Sequence, residues 1–146
     1  MTTLRRYAPF AARIFLGTAF VVFGLNFFFG FLPQPEHSGE AGAFLGALFV
    51  TGYMFPLIKI TEIVAGVMLL TNRFVPLALL LLAPVLVNIV AFHAFLEPAG
   101  LGIGVALTAL ELGLAYAYRD TFKAVLQAKN ETAATPATPR RVAATA

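Results

Sequence analysis

Five apolar runs occupy most of the chain, at residues 14–32, 41–58, 60–70, 74–96 and 98–110, and the last continues past Glu111 to Tyr118. Ordinary soluble domains are about 45–50% apolar and about a quarter charged. Here 60% of residues are hydrophobic and 12% are charged, with a mean hydropathy of +0.86. Folded in water, such a chain would expose far more apolar surface than its core could hide. The lipid bilayer is therefore the expected solvent, and the expected fold class is all-α, because a bilayer leaves no water to satisfy open backbone groups.

At about 20 residues per span, the length accommodates one domain of four membrane helices. Three spans are clear: about 9–32, 74–96 and 98–118. The stretch 41–70 is too long for one span and too short for two with a turn, and Pro56 is the expected break. Cut there, it yields a second span over about 55–71 and a separate short interfacial helix over about 41–54; the rival reading is one long kinked helix over 41–70. The expectation is an integral membrane four-helix bundle over residues 1–126, with that extra helix between spans one and two. Residues 127–146, rich in Ala, Thr and Pro, read as a disordered tail.

Charge placement agrees with an even number of spans. Arg5, Arg6 and Arg13 precede or begin span one, Arg73 lies between spans two and three, and Arg119, Lys123, Lys129, Arg140 and Arg141 follow span four. The two remaining connections carry Glu36, His37, Glu40 and Glu97 but no Lys or Arg. By the positive-inside rule both termini of this multi-pass chain are cytoplasmic. The basic residues then meet anionic lipid headgroups, so the charge implies no nucleic-acid partner. A cleaved signal peptide over residues 1–43 is disfavoured, since a 19-residue apolar run exceeds the usual length of about 7–15.

Ionisable groups inside spans are costly and face the protein interior. Arg13 and Glu111 fall about 6 and 10 Å from the inner end and are expected to form a structural ion pair. At the opposite side Asn26, Lys59, Glu62, Asn88 and His93 share a layer about 5–12 Å deep. This outer polar layer is the expected ligand- or partner-binding site. Lys59 and Glu62, three residues apart, share a helix face. Each residue also has a plainer role open to it: snorkelling for Lys59, interhelical hydrogen bonding for the asparagines, an interfacial position for His93. Phe20, Phe23, Phe27 and Phe31 form a stripe on span one, and Gly17 with Gly24 marks a face for close packing.

No residue set points to catalysis. Cysteine is absent, which removes disulfides, redox pairs and cysteine nucleophiles, and one His beside Glu62 is too few ligands for a metal.

The pattern Arg13-x3-Gly17-x2-Phe20-x3-Gly24 followed by Asn26, then Lys59-x2-Glu62-x3-Gly66-x2-Leu69-Leu70-x2-Arg73, then the stretch from Asn88 to His93, resembles the DoxX and DoxX-like family of small four-span bacterial membrane proteins. The likeness spans roughly residues 9–120. Many members carry a lysine just after the second glycine of span one, where this chain has Asn26 and three phenylalanines. The resemblance implies a four-helix membrane bundle, and several relatives are linked to quinone-dependent sulfur oxidation or to membrane oxidoreductase complexes. It thus implies a non-catalytic or quinone-contacting membrane subunit of a redox or oxidative-stress system, with oxidoreductase subunits as partners and quinone as the ligand. Quinone carbonyls need donors, which Lys59, Asn26 and His93 are expected to supply. The alternatives are a membrane scaffold or chaperone, using the Gly/Ala face of residues 42–47 and the phenylalanine stripe, or a small-solute or proton transporter through the Glu62 and Glu111 layers; a homo-oligomer is open in either case.

Overall fold

The computed structural model describes residues 2–125 as helices and short connections; the tail expected over 127–146 lies outside them. The helices are α1 (Thr2–Phe29), α2 (Gly39–Val50), α3 (Met54–Leu70), α4 (Val75–Phe95), α5 (Leu101–Ala117) and the short α6 (Arg119–Val125), with a 3-10 turn at Pro98–Gly100 before α5. No strand occurs among the described residues. Tyr7–Phe29, Val75–Phe95 and Pro98–Ala117 are each long and apolar enough to cross a membrane. Helices α2 and α3 meet that test together, as a pair bent by 90°. The protein is a multi-pass helical membrane bundle, and lipid is its surrounding medium.

Each helix end has a local cause. Helix α1 stops three residues short of its expected end because Gly30 turns left-handed, at φ +61°, and its N–H returns to the Asn26 carbonyl at 2.8 Å. The Asn26 side chain completes the stop: its Oδ1 accepts from the Leu32 N–H at 2.6 Å, and its Nδ2 donates to the Leu32 carbonyl at 3.3 Å. The break between α2 and α3 falls at residues 51–53, ahead of Pro56. Gly52 is left-handed at φ +73°, and Thr51 Oγ1 donates to the Leu48 carbonyl while accepting the Met54 N–H. Pro56 sits in the first turn of α3, where its missing N–H has no helical acceptor to leave empty.

Between α3 and α4 the chain reverses within four residues. Asn72 and Phe74 are both left-handed, at φ 57° and 55°. Asn72 is also tied across the bundle, accepting a hydrogen bond from Tyr118 Oη at 3.3 Å.

Inside a bilayer, helices gain little from hiding apolar surface, so close packing holds them together. Helix α1 crosses antiparallel to α3 through glycine: a Cβ at Gly17 would lie 2.9 Å from the Gly66 carbonyl oxygen, and one at Gly24 would lie 3.2 Å from that of Lys59. Around this crossing Leu16, Phe20, Leu69, Leu82, Leu86 and Leu114 form the buried core. The phenylalanine stripe divides: Phe20 is buried, Phe27 stacks on Phe55 at 5.6 Å, and Phe23 and Phe31 face outward. Outward-facing Phe15, Leu77, Val87, Ile103 and Leu112 present the apolar surface that a bilayer requires.

A polar-walled cavity between three helices

The glycine contacts bring the backbone of α1 against Lys59, and this fixes α3 so that Lys59 and Glu62 face α4. A cavity of about 530 Å³ lies between α2, α3 and α4. Its walls are mainly apolar, built by residues such as Phe44, Leu48, Phe55, Leu81 and Val85. Lys59, Glu62, Asn88 and His93 line it as well, so four of the five residues expected in the outer polar layer meet around one space.

Lys59 does not snorkel. Its Nζ donates to both oxygens of Glu62, at 2.8 and 3.1 Å, and Glu62 is only 3% exposed. The pair is neutral as a unit, and the ammonium, with three N–H bonds, keeps one donor beyond its two contacts. Asn88 makes no side-chain hydrogen bond among the described residues, which leaves its amide available at the wall. His93 Nδ1 lies 2.9 Å from the Glu97 carbonyl oxygen. The ring rests against Gly100, where any Cβ would collide with it.

Asn26 stands apart from this space. Its amide is engaged at both ends by Leu32, and it does not line the cavity. Asn26 was expected to share the binding layer with the other four; instead its amide serves the end of α1. Arg13 and Glu111 are both buried, yet no ion pair joins them among the described residues, and Arg13 Nε and Glu111 Oε1 lack hydrogen-bond partners. The Arg13 guanidinium turns instead toward the Phe10 ring, 5.6 Å from its centroid, one helical turn away.

Three features of the site go beyond the expected residues. Pro84 lies in mid-helix on the cavity wall and has no N–H to give the Leu80 carbonyl, so that backbone oxygen lacks its helical donor. A proline at mid-span is visible in sequence and flags this. Phe92, also lining the cavity, packs against three rings: Phe44 at 5.9 Å, His37 at 5.9 Å and His93 at 5.1 Å. His37 Nδ1 in turn lies 2.8 Å from Glu97 Oε2, which ties the 30–38 connection to the end of α4. No spacing rule links these positions, since they meet only through the tertiary fold. On α2, Gly42 lies under the His37 carbonyl while Gly46 has open space around it, so the small-residue face is partly covered. No group of three His, Asp or Glu placed to hold a metal occurs among the described residues.

The family model described as DoxX matches residues 8–94. No curated protein and no solved structure matches the chain. The matched segment contains the α1–α3 glycine crossing, the Lys59–Glu62 pair, Asn88 and His93, and it covers more than half of the sequence. The chain belongs to the DoxX family.

Proposed function

We propose that the α2–α3–α4 cavity holds the ring of a quinone-class molecule, and that the protein is a non-catalytic membrane subunit serving oxidoreductase partners. The observation that carries this reading is the cavity's composition: apolar walls with one neutral polar side. That pattern suits a ligand with an apolar body and a small uncharged polar head. The Lys59–Glu62 pair supports a neutral head over a phosphate, because the cation already has its counter-ion 2.8 Å away. The volume of about 530 Å³ is within the usual range of about 300–1,000 Å³ for small-molecule sites. Electron transfer itself falls to partner subunits, since the chain has no cysteine and no group of three metal-ligating side chains occurs among the described residues. The charge distribution supports an orientation with both termini cytoplasmic and the cavity toward the outer face, and the family resemblance implies a bacterial inner membrane.

The test is lipid extraction and mass spectrometry of the protein purified in mild detergent, beside a Val85→Trp variant that fills the cavity. Quinone retained by the parent protein and lost from the variant supports the reading. Repeated absence of quinone from both, or equal retention, overturns it.

A further inference from the structure

A second recess lies at the other end of α3 from the polar-walled cavity. Ile63, Val64, Val67 and Met68 share one face of that helix, and with Thr71, Arg73 and Phe74 they line a groove of about 370 Å³. Val64 and Val67 are 43% and 46% exposed, so the groove opens sideways toward lipid. It follows α3 for about 12 Å, the rise from Ile63 to Thr71. Its polar end is the reversal between α3 and α4, where Phe74 is left-handed and exposed. Tyr118, at the end of α5, donates to Asn72 in the same reversal, so Arg73 stands at a level where three spans begin or end. That level is the boundary between hydrocarbon and headgroups.

The cations near this end differ in what they touch. Lys123 Nζ lies 2.6 Å from Asp120. Arg119 donates to the Tyr116 carbonyl at 3.2 Å and lies over the Tyr116 ring, 4.7 Å from its centroid. Arg73 is exposed and has no side-chain hydrogen bond, ion pair or ring contact among the described residues. The contrast with Lys59, whose counter-ion is 2.8 Å away, reverses the preference: a cation without a counter-ion favours an anionic head. A guanidinium also offers paired N–H donors that match phosphate oxygens. We infer that this groove binds one anionic phospholipid, with part of an acyl chain along Ile63, Val64, Val67 and Met68 and the phosphate against Arg73. An anionic leaflet attracts every basic residue near it, but Arg119 and Lys123 do not line the groove, and only Arg73 joins the charge to an apolar track. The inference is independent of what the larger cavity holds.

The test is native mass spectrometry of the full chain in mild detergent, titrated with dioleoyl phosphatidylglycerol or dioleoyl phosphatidylcholine. The first phosphatidylglycerol is expected to bind about fivefold more tightly than phosphatidylcholine, the effect of one cation near an anionic headgroup. Arg73→Gln should remove that preference, Arg73→Lys should keep part of it, and Arg119→Gln should leave it unchanged. Val67→Trp, which fills the groove from an exposed position without altering charge, should weaken the first binding step for both lipids. Glycerol 3-phosphate, which has the phosphate but no acyl chain, should not compete. Equal affinity for the two lipids overturns the inference, as does a preference that survives both Arg73→Gln and Val67→Trp. Equal loss in Arg73→Gln and Arg119→Gln would mean diffuse attraction to basic residues, and competition by glycerol 3-phosphate would mean a free-phosphate site; either result overturns it.

Discussion

Gly17 and Gly66 face each other so closely that a Cβ added to either would lie 2.9 Å from the other's carbonyl oxygen. Backbone stands on both sides of this contact, so no flexible side chain can move aside. The crossing sets the height of α3 against α1 and thereby the position of Lys59 and Glu62. Gly66→Ala is expected to destabilise the bundle by about 1–3 kcal/mol, the range for overpacking a well-packed core. Gly46→Ala, with open space around it, should be near neutral. Thermal unfolding in detergent, followed by size-exclusion retention, checks the contrast.

Lys59 and Glu62 should behave as a unit. Lys59→Met leaves a buried carboxylate without its counter-ion and is expected to lower stability by about 3–5 kcal/mol. The double variant Lys59→Met with Glu62→Leu should recover much of that loss, since neither charge then remains. If the double variant is as unstable as the sum of the single ones, the pair is not the local neutral unit described here.

Arg13 and Glu111 give the opposite expectation. Because they do not form an ion pair, a double-mutant cycle with Arg13→Met and Glu111→Gln should return a coupling below about 0.5 kcal/mol, as for independent sites. A coupling above about 1 kcal/mol would mean that the two close on each other in the membrane.

Asn26 separates a structural role from a binding one. Removing its side chain frees the Leu32 backbone groups, and Asn26→Ala should lower stability by about 1 kcal/mol while leaving ligand retention unchanged. Gly100→Ala should do the reverse: it displaces the His93 ring and weakens ligand binding more than it affects unfolding. Melting curves and ligand titrations on the same two preparations decide both.

The parts of this architecture legible in sequence were those governed by short-range rules. Apolar run length gave the helices, the spacing of Lys59 and Glu62 gave their pairing, and depth arithmetic placed four polar residues around what proved to be one cavity. Two helices separate close to the expected cut, but the turn is made by Gly52 with Thr51, and Pro56 lies in the first turn of α3, because the position of a proline within a helix decides its effect. Depth along a helix does not say which way a side chain turns. Asn26 therefore turns to a helix end and Arg13 to Phe10. The cluster of Phe92 with Phe44, His37 and His93 joins three separate segments, and no local pattern could have assembled it.

The most direct test of the central claim is photolabelling with an azido-quinone in native membranes, with the adducts mapped by peptide mass spectrometry. Adducts confined to residues 54–62 of α3 and 80–93 of α4, and competed by excess unlabelled quinol, are the predicted result. Labelling spread over outward-facing positions such as Phe23 and Leu112, without competition, would contradict a quinone-class site in this cavity.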